Sequence, residues 1–279
     1  MNPPSPSARR YARVLSIAGS DSGGGAGIQA DLKTCAALGC YGMTAITAIT
    51  AQNTVGVRAI HALPAGLLTQ QIDAVAEDIG VDAVKIGMLH DAEVVRAVAA
   101  ALRRHRFAHV VLDPVMVATS GDKLITQDTV SVLIRELLPL ATLVTPNLDE
   151  AGWLIGRPIG SADELEPAAR ELLALGARAV LLKGGHLRGE QLTDLLVEAP
   201  HTLQRWQDSR IDTRNTHGTG CTLSSAIACG LASGLPLADA VAAARTYVRG
   251  ALLAGAGVLT GHGHGPLNHG FAPRPTLWF

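Results

Sequence analysis

The sequence predicts one α/β domain whose mainly parallel sheet is covered by helices. Segments rich in β-branched residues alternate with segments of helical pattern, which is the rhythm of βαβ units. Hydrophobic residues make up 48% of the chain and aromatic residues only 3%, so the core must be built from Ala, Val, Leu and Ile, as suits buried parallel strands. No Pro/Ser-rich linker or repeat divides the 279 residues. We therefore expect a disordered lead over residues 1–12 and a single domain over residues 13–279.

Residue type and spacing predict each element in turn. Apolar, β-branched runs predict the strands Val14–Ala18, Thr44–Thr50, Ala83–Ile86, His109–Leu112, Leu143–Thr145 and Ala179–Lys183, with two short strands flanking Gly189. Helical patterns predict the helices Gly27–Leu38, Pro64–Asp78, Ala92–His105, Gln127–Leu138, Leu148–Ile155, Asp163–Leu175, Thr222–Ser233 and Leu237–Ala254.

Charge, cysteine usage and hydropathy narrow the class of protein. A formal net charge of -1 and the lack of a basic stripe argue against a nucleic-acid partner and favour a small molecule. The four cysteines have no C-x-x-C spacing and lie in apolar segments, which indicates reduced thiols. The start, MNPPSPSARRYA, lacks the apolar segment of a signal peptide, and glycines, a proline and an aspartate interrupt the apolar stretch Ala226–Ala244. We expect a cytoplasmic protein that does not contact a membrane.

Polar or glycine-rich turns follow six of the expected strands. In open parallel sheets ligands bind beyond the carboxyl ends of the strands, so these turns predict one shared cleft. The turns are Gly19–Ser22, Gln52–Asn53, Lys85–Met88, Asp113–Met116, Thr145–Glu150 and Lys183–His186.

The first glycine loop, Gly19–Gly27, joins a strand to a helix. Part of it satisfies a dinucleotide-binding pattern, but no acidic residue occurs between Asp31 and Asp73, where a ribose-binding acid is expected. A tight turn explains one glycine. The density of glycines indicates instead that the backbone approaches a ligand closely.

The second glycine loop, His217–Cys221, precedes a helix of small residues. Converging amide groups and the positive end of that helix suit a phosphate or a transferring phosphoryl group, although an ordinary glycine-rich helix start is an equal alternative. The helix dipole would lower the thiol pKa of Cys221. From the residues alone Cys221 is a nucleophile paired with His217, an inert packed thiol, or a group that holds or deprotonates a substrate hydroxyl.

Three side chains at strand ends could hold hydrated Mg²⁺ beside phosphates. Asn147 and Glu150 lie three residues apart in a first helical turn, and Asp113 ends another strand. The alternative for the first two is helix capping. Lys183, one of four lysines, ends an apolar strand before Gly-Gly, where a phosphate is the natural partner of its charge.

Taken together, these motifs resemble the hydroxymethylpyrimidine/phosphomethylpyrimidine kinase family. The segments that carry the resemblance span about Arg13 to Phe271: Gly19–Asp31, Ala48–Asn53, Lys85–Leu89, Leu112–Met116, Thr145–Asn147, Lys183–His186 and Asn215–Cys221. The resemblance implies a ribokinase-like three-layer α/β/α sandwich and a homodimer. It also implies ATP- and Mg²⁺-dependent phosphorylation of 4-amino-5-hydroxymethyl-2-methylpyrimidine, and then of its monophosphate, in thiamine biosynthesis.

The same resemblance implies roles for individual residues. The pyrimidine pocket would use Gly19, Asp31, Gln52, Met88 and Val115. The catalytic set would be Lys183, Gly218, Thr219, Gly220 and Cys221, with Lys183, Asn147 and Thr219 at ATP and Asp113, Asn147 and Glu150 around the metal. Cys221 falls where related sugar kinases place an aspartate base, and would orient the substrate hydroxyl and accept its proton late.

The sequence departs from the family pattern at two places. Gly23 stands where a second serine is common, and Asn268–His269 stands where a histidine pair is usual. Three other functions stay open. A pyridoxal kinase of the same cysteine-bearing group is the nearest alternative. A non-catalytic pyrimidine sensor would not need Lys183 or the second glycine loop, and a cysteine hydrolase would need an acyl adduct at Cys221.

Overall fold

The computed structural model describes residues 9–117, 125–185, 191–198 and 202–279. Nine strands form the central sheet: β1 (Arg13–Asp21), β2 (Tyr41–Gln52), β3 (Val57–Ala62), β4 (Ala83–Ile86), β5 (Val110–Leu112), β6 (Leu143–Val144), β7 (Ala179–Lys183), β8 (Gln191–Glu198) and β9 (Thr202–Ser209). The α-helices are α1 (Gly27–Ala37), α2 (Ala65–Asp78), α3 (Ala92–His105), α4 (Gln127–Glu136), α5 (Leu148–Ile155), α6 (Leu165–Ala174), α7 (Thr219–Ala232) and α8 (Leu237–Gly255).

The sheet has the strand order β3-β2-β1-β4-β5-β6-β7-β8-β9. The six strands from β2 to β7 in this order run parallel, while β3, β8 and β9 are antiparallel to their neighbours. After β1 the chain forms β2 on one side and then returns to form β4 on the other. The order therefore reverses between β1 and β4, which is where open α/β sheets bind ligands.

Alternate residues of the strands feed two cores, one on each face of the sheet. Leu15 and Ile17 of β1 belong to a cluster that includes residues of α2 to α6, whereas Val14 belongs to a cluster with α1, α7 and α8. This alternation follows from the two-residue period of a strand. The prediction of a three-layer, mainly parallel α/β fold is confirmed.

Several elements differ from the sequence predictions. β1 and β2 are longer than expected, and β3 was not predicted because its exposed residues lack an apolar run. The two late strands were expected on either side of Gly189, but both follow it. Gly189 and His186 lie outside the described residues.

The N-terminal lead is partly ordered. The backbones of Arg10 and Phe279 exchange two hydrogen bonds, at 3.0 and 2.8 Å, and Arg10 forms an ion pair with Asp82. Arg10 is therefore held against the C-terminal segment, whereas residues 1–8 lie outside the described part. No helix within the described ranges is both long and apolar enough to cross a membrane. The division of the chain into a lead and a single domain stays a prediction.

Candidate active site

A cleft of about 880 Å³ opens at the carboxyl ends of the parallel strands. It is lined by every predicted site residue except Asp31. These residues are Gly19, Gln52, Met88, Asp113, Val115, Asn147, Glu150, Lys183, Gly218, Thr219, Gly220 and Cys221. The strand ends thus meet at one edge of the sheet, as parallel topology requires.

The two glycine loops lie against each other, and residues of both line this cleft. Gly218 caps α7 with φ of +86°, and a Cβ atom at this position would overlap the carbonyl oxygen of Gly25. A Cβ atom on Gly25 would in turn overlap the imidazole ring of His217. Only glycine can supply both the left-handed conformation of Gly218 and this close approach.

The carboxylate of Asp21 occupies the first glycine loop. It accepts hydrogen bonds from the backbone N–H groups of Gly23 (2.8 Å), Gly25 (3.1 Å) and Ala26 (2.9 Å), and its Oδ2 lies 2.8 Å from Nε2 of His217. Burial alone would raise the pKa of Asp21, but these hydrogen bonds hold it below its ordinary value. This loop was expected to bring its backbone to a ligand. Three of its amides serve an internal carboxylate instead.

The second glycine loop presents free amides at the start of α7. The N–H of Thr219 is bonded to Thr216, but within the described part of the chain the amides of Gly220 and Cys221 have no hydrogen-bond acceptor. Both residues line the cleft at the positive end of a 14-residue helix. This arrangement can bind an anionic oxygen.

Lys183 joins the second loop to the acidic side of the cleft. Its Nζ lies 3.0 Å from Oδ1 of Asp113 and 4.0 Å from Oε2 of Glu150. A Cβ atom on Gly220 would lie 3.3 Å from the same Nζ. An anion bound at the start of α7 would therefore also meet the Lys183 ammonium.

Asn147 and Glu150 form the capping box that was the alternative to metal binding. Oδ1 of Asn147 accepts from the Glu150 N–H at 2.9 Å, and Oε2 of Glu150 accepts from the Asn147 N–H at 2.8 Å. Burial, together with the charge of Asp113, raises the pKa of Glu150 to about 7 in spite of Lys183. Two carboxylates thus share one ammonium.

This donor set fits a hydrated divalent cation. A second cation near Glu150 and Asp113 would offset the charge that raises the pKa of Glu150, and carboxylate oxygens are the ligands that Mg²⁺ prefers. Asp113 and Glu150 offer such oxygens at the cleft wall, whereas Oδ1 of Asn147 is committed to its cap.

Cys221 carries a protonated thiol at neutral pH. Burial, reinforced by the charges of Asp31 and Asp113, raises its pKa to about 11, although Lys85 and the Gly27 N–H act in the opposite direction. The expectation that the helix start lowers this pKa is wrong, because desolvation exceeds the dipole effect. A thiol in this state is not a ready nucleophile.

Asp31 lies behind the cleft and not in its lining. The residue is 1% exposed, and its carboxylate accepts hydrogen bonds from Ser16 (2.5 Å), Ser225 (2.7 Å) and the Lys85 ammonium (2.8 and 2.9 Å). These four hydrogen bonds occupy both oxygens, so Asp31 offers no free acceptor to a pyrimidine in this arrangement. It fixes β1, β4 and α7 to α1 instead.

Another part of the cleft wall combines apolar side chains with one carboxamide. A Cβ atom on Gly19 would lie 2.6 Å from Cε of Met88, and Val115 lines the same cavity. Thr50 donates to Oε1 of Gln52 at 3.1 Å, and Nε2 of Gln52 lies 3.5 Å from Nε2 of His217. A flat heteroaromatic ring with adjacent donor and acceptor atoms suits such a wall.

A family model described as phosphomethylpyrimidine kinase matches residues 21–268. The chain belongs to the phosphomethylpyrimidine kinase family. This confirms the resemblance found from the motifs.

Relatives and solved structures agree with this family. The hydroxymethylpyrimidine/phosphomethylpyrimidine kinase of Rhizobium meliloti (strain 1021) is 55% identical over 92% of this chain and 96% of its own. The crystal structure of phosphomethylpyrimidine kinase from Clostridium difficile 630 is 43% identical, with a TM-score of 0.76 over 85% of this chain and 97% of that one. An ADP complex of Bacillus subtilis pyridoxal kinase is 35% identical, with a TM-score of 0.84 over 93% and 97%.

In this member of the phosphomethylpyrimidine kinase family, the sequence does not predict the role of Lys85 or the contact between Asp21 and His217. Lys85 was placed at a strand end without a role, although a charge inside the apolar run of β4 is the same signal that singled out Lys183. The contact between Asp21 and His217 spans 196 positions and has no local signal. Only the fold shows that the two glycine loops lie against each other.

Proposed function

We propose that the chain is an ATP-dependent kinase that phosphorylates 4-amino-5-hydroxymethyl-2-methylpyrimidine and then its monophosphate, in thiamine biosynthesis. The observation that carries this proposal is one cleft with an anion-binding loop and an apolar, carboxamide-bearing wall. The names of relatives such as the Rhizobium meliloti enzyme support the substrate.

The carboxamide wall supports the choice of an aminopyrimidine. Gln52 carries both an acceptor and a donor, which can pair with the amino group and a ring nitrogen of the substrate. Met88 and Val115 supply apolar surface for the ring, and Gly19 leaves room beside Met88. Recognition through Gln52 orients the ring and its hydroxymethyl group.

The anion-binding loop supports ATP as the phosphoryl donor. The amides of Gly220 and Cys221 and the Lys183 ammonium can stabilise the γ-phosphoryl oxygens, with Gly218 and Thr219 shaping the turn. Asp113 and Glu150 would hold Mg²⁺, whose chemistry is to neutralise phosphate charge. Asn147 would act on the metal through its cap on Glu150.

Cys221 then orients the hydroxymethyl group and is not a strong base. Phosphoryl transfer passes through a loose transition state in which the hydroxyl proton leaves late, so positioning and charge stabilisation dominate. A protonated thiol can contact the hydroxyl without competing with it as a nucleophile. The late transfer of the hydroxyl proton to Cys221 stays a prediction.

Phosphorus NMR of a reaction with ATP, Mg²⁺ and the pyrimidine alcohol tests the proposal. We expect resonances of a monophosphate and then of a diphosphate, and removal of Mg²⁺ with a chelator should abolish both. Cys221→Ala should lower kcat at least about tenfold, the effect of misplacing a reacting group. ATP left unconsumed by the purified wild-type protein would favour a pyrimidine sensor instead.

A pyridoxal kinase is the second candidate, because the Bacillus subtilis pyridoxal kinase superposes with a TM-score of 0.84. Parallel assays with pyridoxal and the pyrimidine distinguish the two. We expect the pyrimidine to have the higher kcat/KM, and Gln52→Leu to reduce it. Turnover of pyridoxal alone would overturn the proposal.

A cytoplasmic location and a homodimer stay predictions. Light scattering would test whether the protein is a homodimer.

A further inference from the structure

A buried arginine that lines the cleft links the last helix to the end of β7, where Lys183 lies. Arg245 of α8 is 8% exposed at its side chain and also lines the cleft. Its Nη1 donates to Oδ2 of Asp194 at 2.6 Å, and its Nη2 donates to Asp208. The guanidinium also lies 5.4 Å from the ring centroid of Trp206. One side chain of α8 thereby contacts both β8 and β9.

Asp194 connects Arg245 to the backbone next to Lys183. It is paired with Lys183 in the β7–β8 ladder, and its Oδ1 accepts the Gly184 N–H at 3.1 Å. Each carboxylate oxygen of Asp194 therefore has its own partner, one on α8 and one in the turn. A Cβ atom on Gly184 would overlap the carbonyl oxygen of Thr193, so Gly184 packs tightly against β8.

The hydrogen bonding of the Arg245 guanidinium is not optimal for stability. Among the described residues Nε of Arg245 is buried without a hydrogen-bond partner, and such groups carry a desolvation cost. Its two terminal nitrogens, Nη1 and Nη2, donate to two carboxylates that both line the cleft, Asp194 and Asp208. The arrangement maintains the shape of the cleft at the cost of an unsatisfied donor.

We infer that Arg245 is a positioning residue for nucleotide binding, which acts through Asp194 and Gly184 on the place of Lys183. This inference rests on the proposed function, since it assigns the Lys183 end of the cleft to ATP. The residues expected at the pyrimidine, Gln52 at the end of β2 and Met88 after β4, have no contact with this link. Loss of Arg245 should therefore raise the KM for ATP and leave the KM for the pyrimidine nearly unchanged.

Steady-state kinetics of Arg245→Met, Asp194→Asn and the double variant test the inference. We expect each single variant to raise the KM for ATP about tenfold, the effect of losing one charge-assisted contact, and to leave the KM for the pyrimidine within twofold. Both residues act in one chain of contacts. The KM for ATP of the double variant should therefore be no higher than that of the single variant with the higher KM. Arg13→Met is the matched control, since it removes the ion pair of Arg13 with Asp82 away from the cleft.

Three outcomes would overturn the inference: an unchanged KM for ATP, equal increases in both KM values, or effects that multiply in the double variant. If Arg245→Met does not fold, Arg245→Lys keeps the charge but cannot hold two carboxylates at once, and it should give an intermediate shift. Calorimetric titration with ADP gives a Kd that needs no turnover. A wild-type protein that binds ADP but phosphorylates no pyrimidine would refute the proposed function, while the Kd of the variants would still decide the role of Arg245.

Discussion

Both carboxylate oxygens of Asp31 accept hydrogen bonds from the Lys85 ammonium, at 2.9 and 2.8 Å, in a place almost fully shielded from water. Ser225, which accounts for another hydrogen bond of Asp31, lies one helical turn beyond Cys221 on α7. The pair therefore fixes the helix that carries Cys221. It also places a positive charge close enough to oppose the rise in the pKa of that thiol.

Lys85→Met should destabilise the fold by about 3–5 kcal/mol, because it leaves the Asp31 charge buried without its counterion. Lys85→Met combined with Asp31→Asn should recover a large part of this loss, since no charge then stays buried. Urea unfolding at pH 7 measures both. The control is Arg170→Met, which breaks the exposed pair of Arg170 with Glu166 and should cost within about 1 kcal/mol. Equal losses for both lysine and arginine variants would contradict this expectation.

Asp21→Asn should lower stability in a pH-dependent way. The folded-state pKa of Asp21 lies below 3.8, so its contribution is present above that pH and is lost as the pH falls through the folded pKa. We expect a loss of about 2 kcal/mol at pH 7, typical of hydrogen bonds to a charged group. The difference in stability between the two proteins should be smaller at pH 3 than at pH 5 or pH 7. A difference independent of pH would show that the charge of Asp21 is not involved.

Gly218→Ala should abolish activity and cost more than 3 kcal/mol of stability. Alanine would have to adopt the positive φ of Gly218, and its Cβ atom would overlap Gly25. Gly234→Ala is a closely matched control. Its φ is +84°, but a Cβ atom there meets nothing within 4 Å. This variant should lose only about 1 kcal/mol and keep its kcat. Thermal unfolding and kinetic assays of both proteins compare backbone strain with steric contact, and similar behaviour would argue against the loop contact.

Alkylation of Cys221 by iodoacetamide should be slow at neutral pH. With a pKa of about 11, its rate should rise about tenfold per pH unit up to about pH 10 and level off only above about pH 11, whereas the rate for an unfolded peptide of residues 216–224 should level off above about pH 9. Peptide mass spectrometry measures the two rates side by side. Faster alkylation of the folded protein than of the peptide at pH 7 would indicate a thiolate and would favour a nucleophilic role.

The sheet and the strand-end cleft follow from the sequence because they depend on local patterns. β-Branched runs and helical spacing place β4, α3 and α5, and the turns beyond the strands place Asp113, Lys183 and Gln52 at one edge. The first glycine loop could not be interpreted in this way. Its glycines suggested a bound ligand, but the anion inside it is Asp21, whose partner His217 comes from the other end of the chain.

The same limit applies to groups whose chemistry depends on burial. A helix start favours a thiolate at Cys221, but the sequence does not show how much water the surrounding side chains exclude. Asp31 was assigned to the substrate pocket by resemblance alone. Its partners lie on three different elements, and their convergence depends on how α1 and α7 pack on the sheet.

The contact between the two glycine loops has a consequence for synthesis of the protein. The first loop leaves the ribosome long before the second exists, since Asp21 and His217 are 196 positions apart. Until then the first loop has neither its imidazole partner nor the backbone of Gly218 to pack against. A nascent or truncated chain that lacks residues 215–232 should thus be unable to bind nucleotide, so that kinase activity reports the completion of folding.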